Sequence, residues 1–134
     1  MSVYGCLAVL LVVSAMLAGC APKGDHAEPG EHFTLAPGES MRVGDHVRIT
    51  FEGVGDDSRC PEGAECVWEG NAVVRLEYIA PDSPPIGFRL NTARTLTRDT
   101  TIQRHRIELV SLTPYPKTET GVRPSDYRAE LVMQ

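Results

Sequence analysis

No stretch of this chain carries the machinery of a common enzyme. Gly-x-Ser-x-Gly, His-Glu-x-x-His and Gly-x-x-x-x-Gly-Lys are all missing, which removes the hydrolase nucleophile elbow, the zinc-protease helix and the phosphate-binding loop. Cys-x-x-Cys is absent as well, and with it the usual dithiol redox motif. Basic charge is not concentrated anywhere: eleven Arg and two Lys are scattered against eighteen acidic residues, for a net charge of -5. A nucleic-acid binder is expected to carry a basic face, so that class is set aside. No apolar run approaches the about 20 residues that span a bilayer as a helix. No segment after residue 19 sustains a helical period, and there is no internal repeat. Accordingly no catalytic residue and no cofactor is assigned, and the chain is read as a non-enzymatic module.

What is present begins with the amino terminus. Leu7 to Leu17 is an apolar segment of eleven residues interrupted only by Ser14, and every Lys, Arg, Asp and Glu lies after Gly19. That length suits the apolar core of a secretion signal. The segment ends in Leu17-Ala18-Gly19-Cys20, where the chain resembles bacterial lipoprotein precursors and their Leu-(Ala/Ser)-(Gly/Ala)-Cys lipobox. The resemblance implies cleavage before Cys20, diacylglycerol on its sulfur and a membrane partner reached through lipid. One acyl chain anchors only marginally, so a triacylated, palmitate-bearing Cys20 is the expected form. Ala21, rather than Asp, follows the cysteine, which by the same resemblance implies the outer membrane. The expected organisation is a signal peptide over 1–19, a lipidated Cys20 with a flexible tether over 20–30, rich in Pro and Gly, and one folded domain over 31–134.

Within that domain the period is two. Val47, Ile49 and Phe51 alternate with Arg48, Thr50 and Glu52; Val74, Leu76 and Tyr78 alternate with Arg75 and Glu77; Tyr127, Ala129, Leu131 and Met133 alternate with Arg128, Glu130 and Val132. Each pattern turns one face to a core and one to water. Gly53 and Gly55 are expected to end the first of these strands. Residues 92–101 are expected to form an irregular edge strand or loop. His105, Ile107 and Leu109 alternate, but Val110 and Leu112 shift phase, which predicts a β-bulge or a strand buried on both faces. The fold class is all-β: an antiparallel β-sandwich or small barrel of six to eight short strands.

Between two of these strands lies Asp57-Ser58-Arg59-Cys60-Pro61-Glu62-Gly63-Ala64-Glu65-Cys66-Val67-Trp68-Glu69-Gly70. In an oxidising envelope, Cys60 and Cys66 are expected to close one local disulfide, worth roughly 2 kcal/mol on the loop-entropy model. Zinc is the sharper alternative, but two thiols alone are no ligand set. Trp68, two residues beyond Cys66, is expected to share its face on a strand, cover the disulfide and pack in the core. The stretch resembles a group of small uncharacterised bacterial lipoproteins sharing Asp-Ser-Arg-Cys-Pro, four variable residues, then Cys-x-Trp-x-Gly; the resemblance implies location and disulfide but no activity.

Three readings of function stay open. The first is an envelope module presenting a rigid recognition loop, with Arg59, Pro61, Glu62 and Trp68 as its candidate residues, to an envelope protein or a small molecule. The second is a periplasmic accessory in which His26 and His32, with Asp25, Glu28 and Glu31, capture copper or zinc. The third is a protease inhibitor that projects Arg59-Cys60-Pro61. Asp56, Asp57, Glu62, Glu65 and Glu69 are expected to be a solvated acidic surface rather than a calcium loop. Of the other histidines, His46 heads a strand and His105 lies between Arg104 and Arg106; neither is assigned a role.

Overall fold

Nine β-strands account for almost all regular structure in the computed structural model, which describes residues 24–117 and 120–134. The signal peptide and Cys20 lie outside the described residues. The strands are β1 (His26–Ala27), β2 (His32–Leu35), β3 (Ser40–Val43), β4 (Val47–Asp57), β5 (Ala72–Ile79), β6 (Ile86–Asn91), β7 (Asp99–Ile102), β8 (His105–Thr113) and β9 (Arg128–Met133). They form two sheets, ordered β1-β3-β4-β5-β6 and β2-β9-β8-β7, antiparallel throughout except for β1 against β3. The fold is a sandwich and the sheets do not close into a barrel. Among the described residues no helix is long and apolar enough to cross a membrane.

The period-two faces meet as expected. Ile49, Phe51, Val74, Leu76 and Tyr78 from one sheet face Ile107, Leu109, Ala129 and Leu131 from the other, all of them fully buried. Full burial of such aliphatic and aromatic side chains contributes about 1.5–3 kcal/mol each, which is why register here is strongly specified. The Tyr78 hydroxyl leaves the core at one end, donating to Gln103 Oε1 at 3.2 Å and meeting His105 Nδ1 at 2.9 Å. It thereby joins the first sheet to the β7–β8 hairpin of the second.

The phase shift in β8 is a bulge: its register against β9 slips between Leu109 and Ser111. β7 covers only the first half of β8, from His105 to Glu108. Beyond that point the Arg98 guanidinium takes over, with Nη2 donating to the carbonyls of Leu109 and Val110 at 3.1 and 2.9 Å. An arginine thus supplies the donors that a longer β7 would have provided.

Two expectations need correction. Gly53 and Gly55 do not end β4. Their strand runs on to Asp57 with register shifts at Phe51/Gly53 and Val54/Asp56, and the Arg75 stem lies across them, where a Cβ on Gly55 would sit 3.6 Å from Arg75 Cδ. Glycine here makes room for a bulged strand under a long side chain. Nor does the fold wait for residue 31. Ala27 is buried, β1 pairs with β3, and the Gly30 N–H donates to the Met133 carbonyl at 2.7 Å. Pro29-Gly30, read as tether, is a tight turn closed by Glu31 N–H on the Glu28 carbonyl at 2.9 Å, with Gly30 at φ 89°. Pro then Gly at the centre of such a turn carries the chain from the first sheet to the second.

Candidate recognition surface

At the far end of β4 the chain leaves the sheet, makes the loop 58–71 and re-enters as β5. Backbone pairing continues past the strand ends: Ser58 N–H donates to the Asn71 carbonyl at 2.7 Å and Cys60 N–H to the Glu69 carbonyl at 3.0 Å. This narrow neck requires Gly70, whose φ is +68° and whose α-carbon lies so close to Ser58 that a Cβ would overlap the Ser58 carbonyl. Asn71 fixes the neck sideways, its Oδ1 accepting from the N–H groups of Thr92 and Ala93 and its Nδ2 donating to Asn91 Oδ1. Above the neck, Cys60 and Cys66 are joined by the expected disulfide, with an S–S distance of 2.02 Å and a Cα–Cα distance of 5.9 Å. Glu62 N–H on the Pro116 carbonyl, at 2.8 Å, pins the loop to the segment that follows β8.

Arg59 is the keystone of this arrangement. Among the described residues it is the charged side chain that is buried, 5% exposed. Its Nε and Nη2 grip the Asp57 carboxylate at 2.9 and 2.7 Å, while Nη1 and Nη2 donate to the carbonyls of Leu112 and Pro114 at 2.8 and 3.0 Å. The Tyr115 ring lies against the guanidinium, 4.9 Å from its carbon. Tyr127 donates its hydroxyl to the same Asp57 carboxylate at 2.9 Å. A planar, five-donor group is the one side chain that can fork a carboxylate and still reach two carbonyls. Among the described residues no buried side-chain nitrogen or oxygen is left without a partner.

The electrostatics follow from these contacts. Burial alone would push the Asp57 carboxyl up, but the bonds from Arg59 and Tyr127 outweigh it and hold the group below its ordinary range. Burial, with the bond to Asp57, pushes the Tyr127 phenol up to about 12. At neutral pH this is a fixed anion, a fixed cation and a fixed hydroxyl, and therefore a brace rather than a titrating centre.

No protein-family model, curated protein or solved structure matches this chain. The residues themselves are therefore the only guide to what the surface does.

Of the four recognition candidates, Glu62 is exposed and Pro61 half-buried. Arg59 is corrected: it points inward and braces the loop, so it is not a projecting residue, and the protease-inhibitor reading loses the side chain it relied on. Trp68 is corrected in the other direction. Its side chain is 80% exposed, beside Val67 at 89%, and neither covers the disulfide. The rule that residues two apart share a face holds on a strand, and the chain is not a strand between Cys66 and Gly70. Between the loop, Thr92, Arg98 and the uncovered half of β8 lies a cleft of about 290 Å³.

His26 and His32 do not come together. His26 Nε2 bonds Glu28 Oε1 at 3.0 Å on the first sheet, and His32 Nδ1 bonds Glu130 Oε1 at 3.0 Å on the second. Among the described residues no three His, Cys, Asp or Glu side chains gather as a metal site would require. The candidate acidic surface is also partly committed: Asp57 belongs to the brace, and Glu69 Oε1 accepts from the Arg94 N–H at 2.9 Å. Ser111 donates to Glu130 Oε2 at 2.9 Å, so Glu130 stands between a serine and a histidine. His32 and Ser111 bond that carboxylate rather than each other, which is the wrong order for a base-activated nucleophile. Those two bonds hold the Glu130 carboxyl below its ordinary range.

Proposed function

We propose that this chain is a lipid-anchored envelope protein that presents the loop 61–69 to a protein partner and performs no catalysis. The observation that carries the proposal is Trp68, 80% exposed on a loop held by a disulfide, a buried ion pair and a glycine neck. A large aromatic left in water lowers solubility, and large exposed apolar side chains on a rigid support are a mark of interaction surfaces. Rigidity lowers the ordering entropy that a partner must overcome. The likeness of Leu17-Ala18-Gly19-Cys20 to a lipobox supports the anchor and, with Ala21, the outer membrane.

The loop is tested by placing a photo-reactive amino acid at position 68 of the full chain in intact cells. A discrete cross-linked species is expected there, and none from the same probe at Thr101, an exposed position of β7. Trp68→Ala should change unfolding stability by no more than about 0.5 kcal/mol, as surface positions do. Equal cross-linking from both positions would remove the special role of the loop. The anchor is tested separately. Cys20→Ser is expected to move the protein from the membrane to the soluble fraction, and retention on the membrane would place the attachment elsewhere.

A further inference from the structure

We propose that the cleft beside the loop neck binds a small monocarboxylate with an apolar body, an aromatic or short branched-chain acid, whose carboxylate is received by Arg98. The inference goes beyond the Trp68 loop and stands or falls without it. The cleft opens where β7 leaves the second half of β8 uncovered, and its volume is about 290 Å³. That is the lower end of the range for small-molecule sites, about 300–1,000 Å³, so the occupant carries one ring or a short chain. Leu109 and Leu112, both buried, supply its apolar wall, and Tyr115 and Gly70 line it beside them.

Strand register puts a cation at this wall. Leu109 N–H donates to the Arg98 carbonyl at 2.9 Å, one step past the Asp99–Glu108 pair. Residues opposite one another across a ladder share a face, so Arg98 leaves the backbone on the side that the fully buried Leu109 turns to the core. A charged group so placed needs partners. The carbonyls of Leu109 and Val110 take its Nη2, while its Nε and Nη1 make no hydrogen bond and its guanidinium no ion pair among the described residues. Arg59, the other cation lining the cleft, is already matched by Asp57 at 2.7 Å. Glu69 is the acid of the lining, but it is exposed, its Oε1 accepts from the Arg94 N–H, and it makes no ion pair with Arg98.

Beside the leucines, the uncommitted polar groups are donors. Arg98 keeps the N–H groups of Nε and Nη1. Thr92 Oγ1 accepts from the Ala72 N–H at 2.8 Å, which leaves the hydroxyl its own proton to give. The carbonyls of Leu109 and Leu112, acceptors of the same wall, are spent on Arg98 and Arg59. A half-buried guanidinium with N–H groups to spare, set against an apolar wall, is complementary to a carboxylate carried on an apolar body. One unpaired cation matches one negative charge. An uncharged ligand would leave it unanswered, and a long acyl chain would exceed the volume.

The experiment titrates the full chain, purified in detergent and labelled with heavy nitrogen, with phenylacetate while backbone amide resonances are followed. The expected result is a saturating shift of the Gly70, Thr92 and Leu112 amides with a dissociation constant at or below about 1 mM, ordinary for a ligand of this size. Phenylacetamide, of the same shape without the charge, should bind at least about tenfold more weakly. Acetate, the charge without the ring, should not saturate the site. Arg98→Gln, with its melting temperature as a folding control, should weaken phenylacetate about tenfold and leave phenylacetamide unchanged. Equal affinities for the acid and the amide, saturation by acetate, shifts centred on another surface, or no saturation by phenylacetate would each overturn the inference. The comparison of acid with amide uses the native chain, so it decides the matter even where Arg98→Gln fails to fold. A failed titration leaves the Trp68 loop as it was, and a failed cross-link from position 68 leaves this cleft as it was.

Discussion

Gly70→Ala is expected to cost at least about 4 kcal/mol of unfolding free energy, a loss confined to a short list of mechanisms in which backbone has nowhere to go. The left-handed backbone at φ +68° is part of it, but the larger part is contact: a Cβ would overlap the Ser58 carbonyl and lie 2.8 Å from the Arg59 Cα. Both are backbone atoms held in the neck by the Ser58–Asn71 and Cys60–Glu69 hydrogen bonds. Relief would have to break that pairing and displace Arg59 from its place. Gly63→Ala is the matched control, since Gly63 has a similar φ of +81° and nothing within 4 Å of its would-be Cβ. It should lose only the conformational preference, about 1 kcal/mol. Urea unfolding of the two variants measures the difference, and equal midpoints would refute the neck.

The second large effect is at Arg59. Arg59→Met removes a buried cation and leaves Asp57 unpaired beside the Leu112 and Pro114 carbonyls, a situation that costs about 3–5 kcal/mol. Lysine should not rescue it, because one ammonium cannot fork the carboxylate and reach both carbonyls. The same pair sets a pH dependence whose sign follows from Asp57. A carboxyl held below its ordinary 3.8 when folded binds its proton more readily when unfolded. Its contribution is therefore complete above the unfolded-state value, at neutral pH, and drains away as pH falls below about 4 and through the folded-state value. Unfolding free energies measured from pH 7 to pH 3 should show the wild type losing its advantage over Asp57→Asn as acid is added. An advantage that grew on acidification would contradict the direction of the shift.

The architecture was legible because burial imposes a period that residue types obey. Val47 to Phe51, Val74 to Tyr78 and Ala129 to Met133 announce their inward faces, and the phase slip at Val110 announces the bulge in β8. The disulfide was legible from composition and spacing. What escaped were positions whose meaning depends on a neighbour far along the chain. Arg59 resembles any loop arginine until Leu112, Pro114, Tyr115 and Tyr127 are brought around it. The signal that could have found it is Asp57-x-Arg59, a fork two residues apart, combined with Pro114-Tyr115-Pro116. Trp68 was misplaced because strand geometry was extended into a segment that is not a strand. β1 was missed because two residues are too few to show alternation, and because Pro29-Gly30 reads alike in a tether and in a turn between sheets.

The Arg98 guanidinium on the Leu109 and Val110 carbonyls bears on more than the completeness of a ladder. An extended backbone arriving from a neighbouring molecule could pair with the uncovered half of β8 only by finding acceptors there, and Arg98 and Arg59 already occupy those of Leu109, Val110, Leu112 and Pro114. A crowded population of these proteins is thereby guarded against fibril-like growth along that half of β8, the stretch of strand that lies next to the loop.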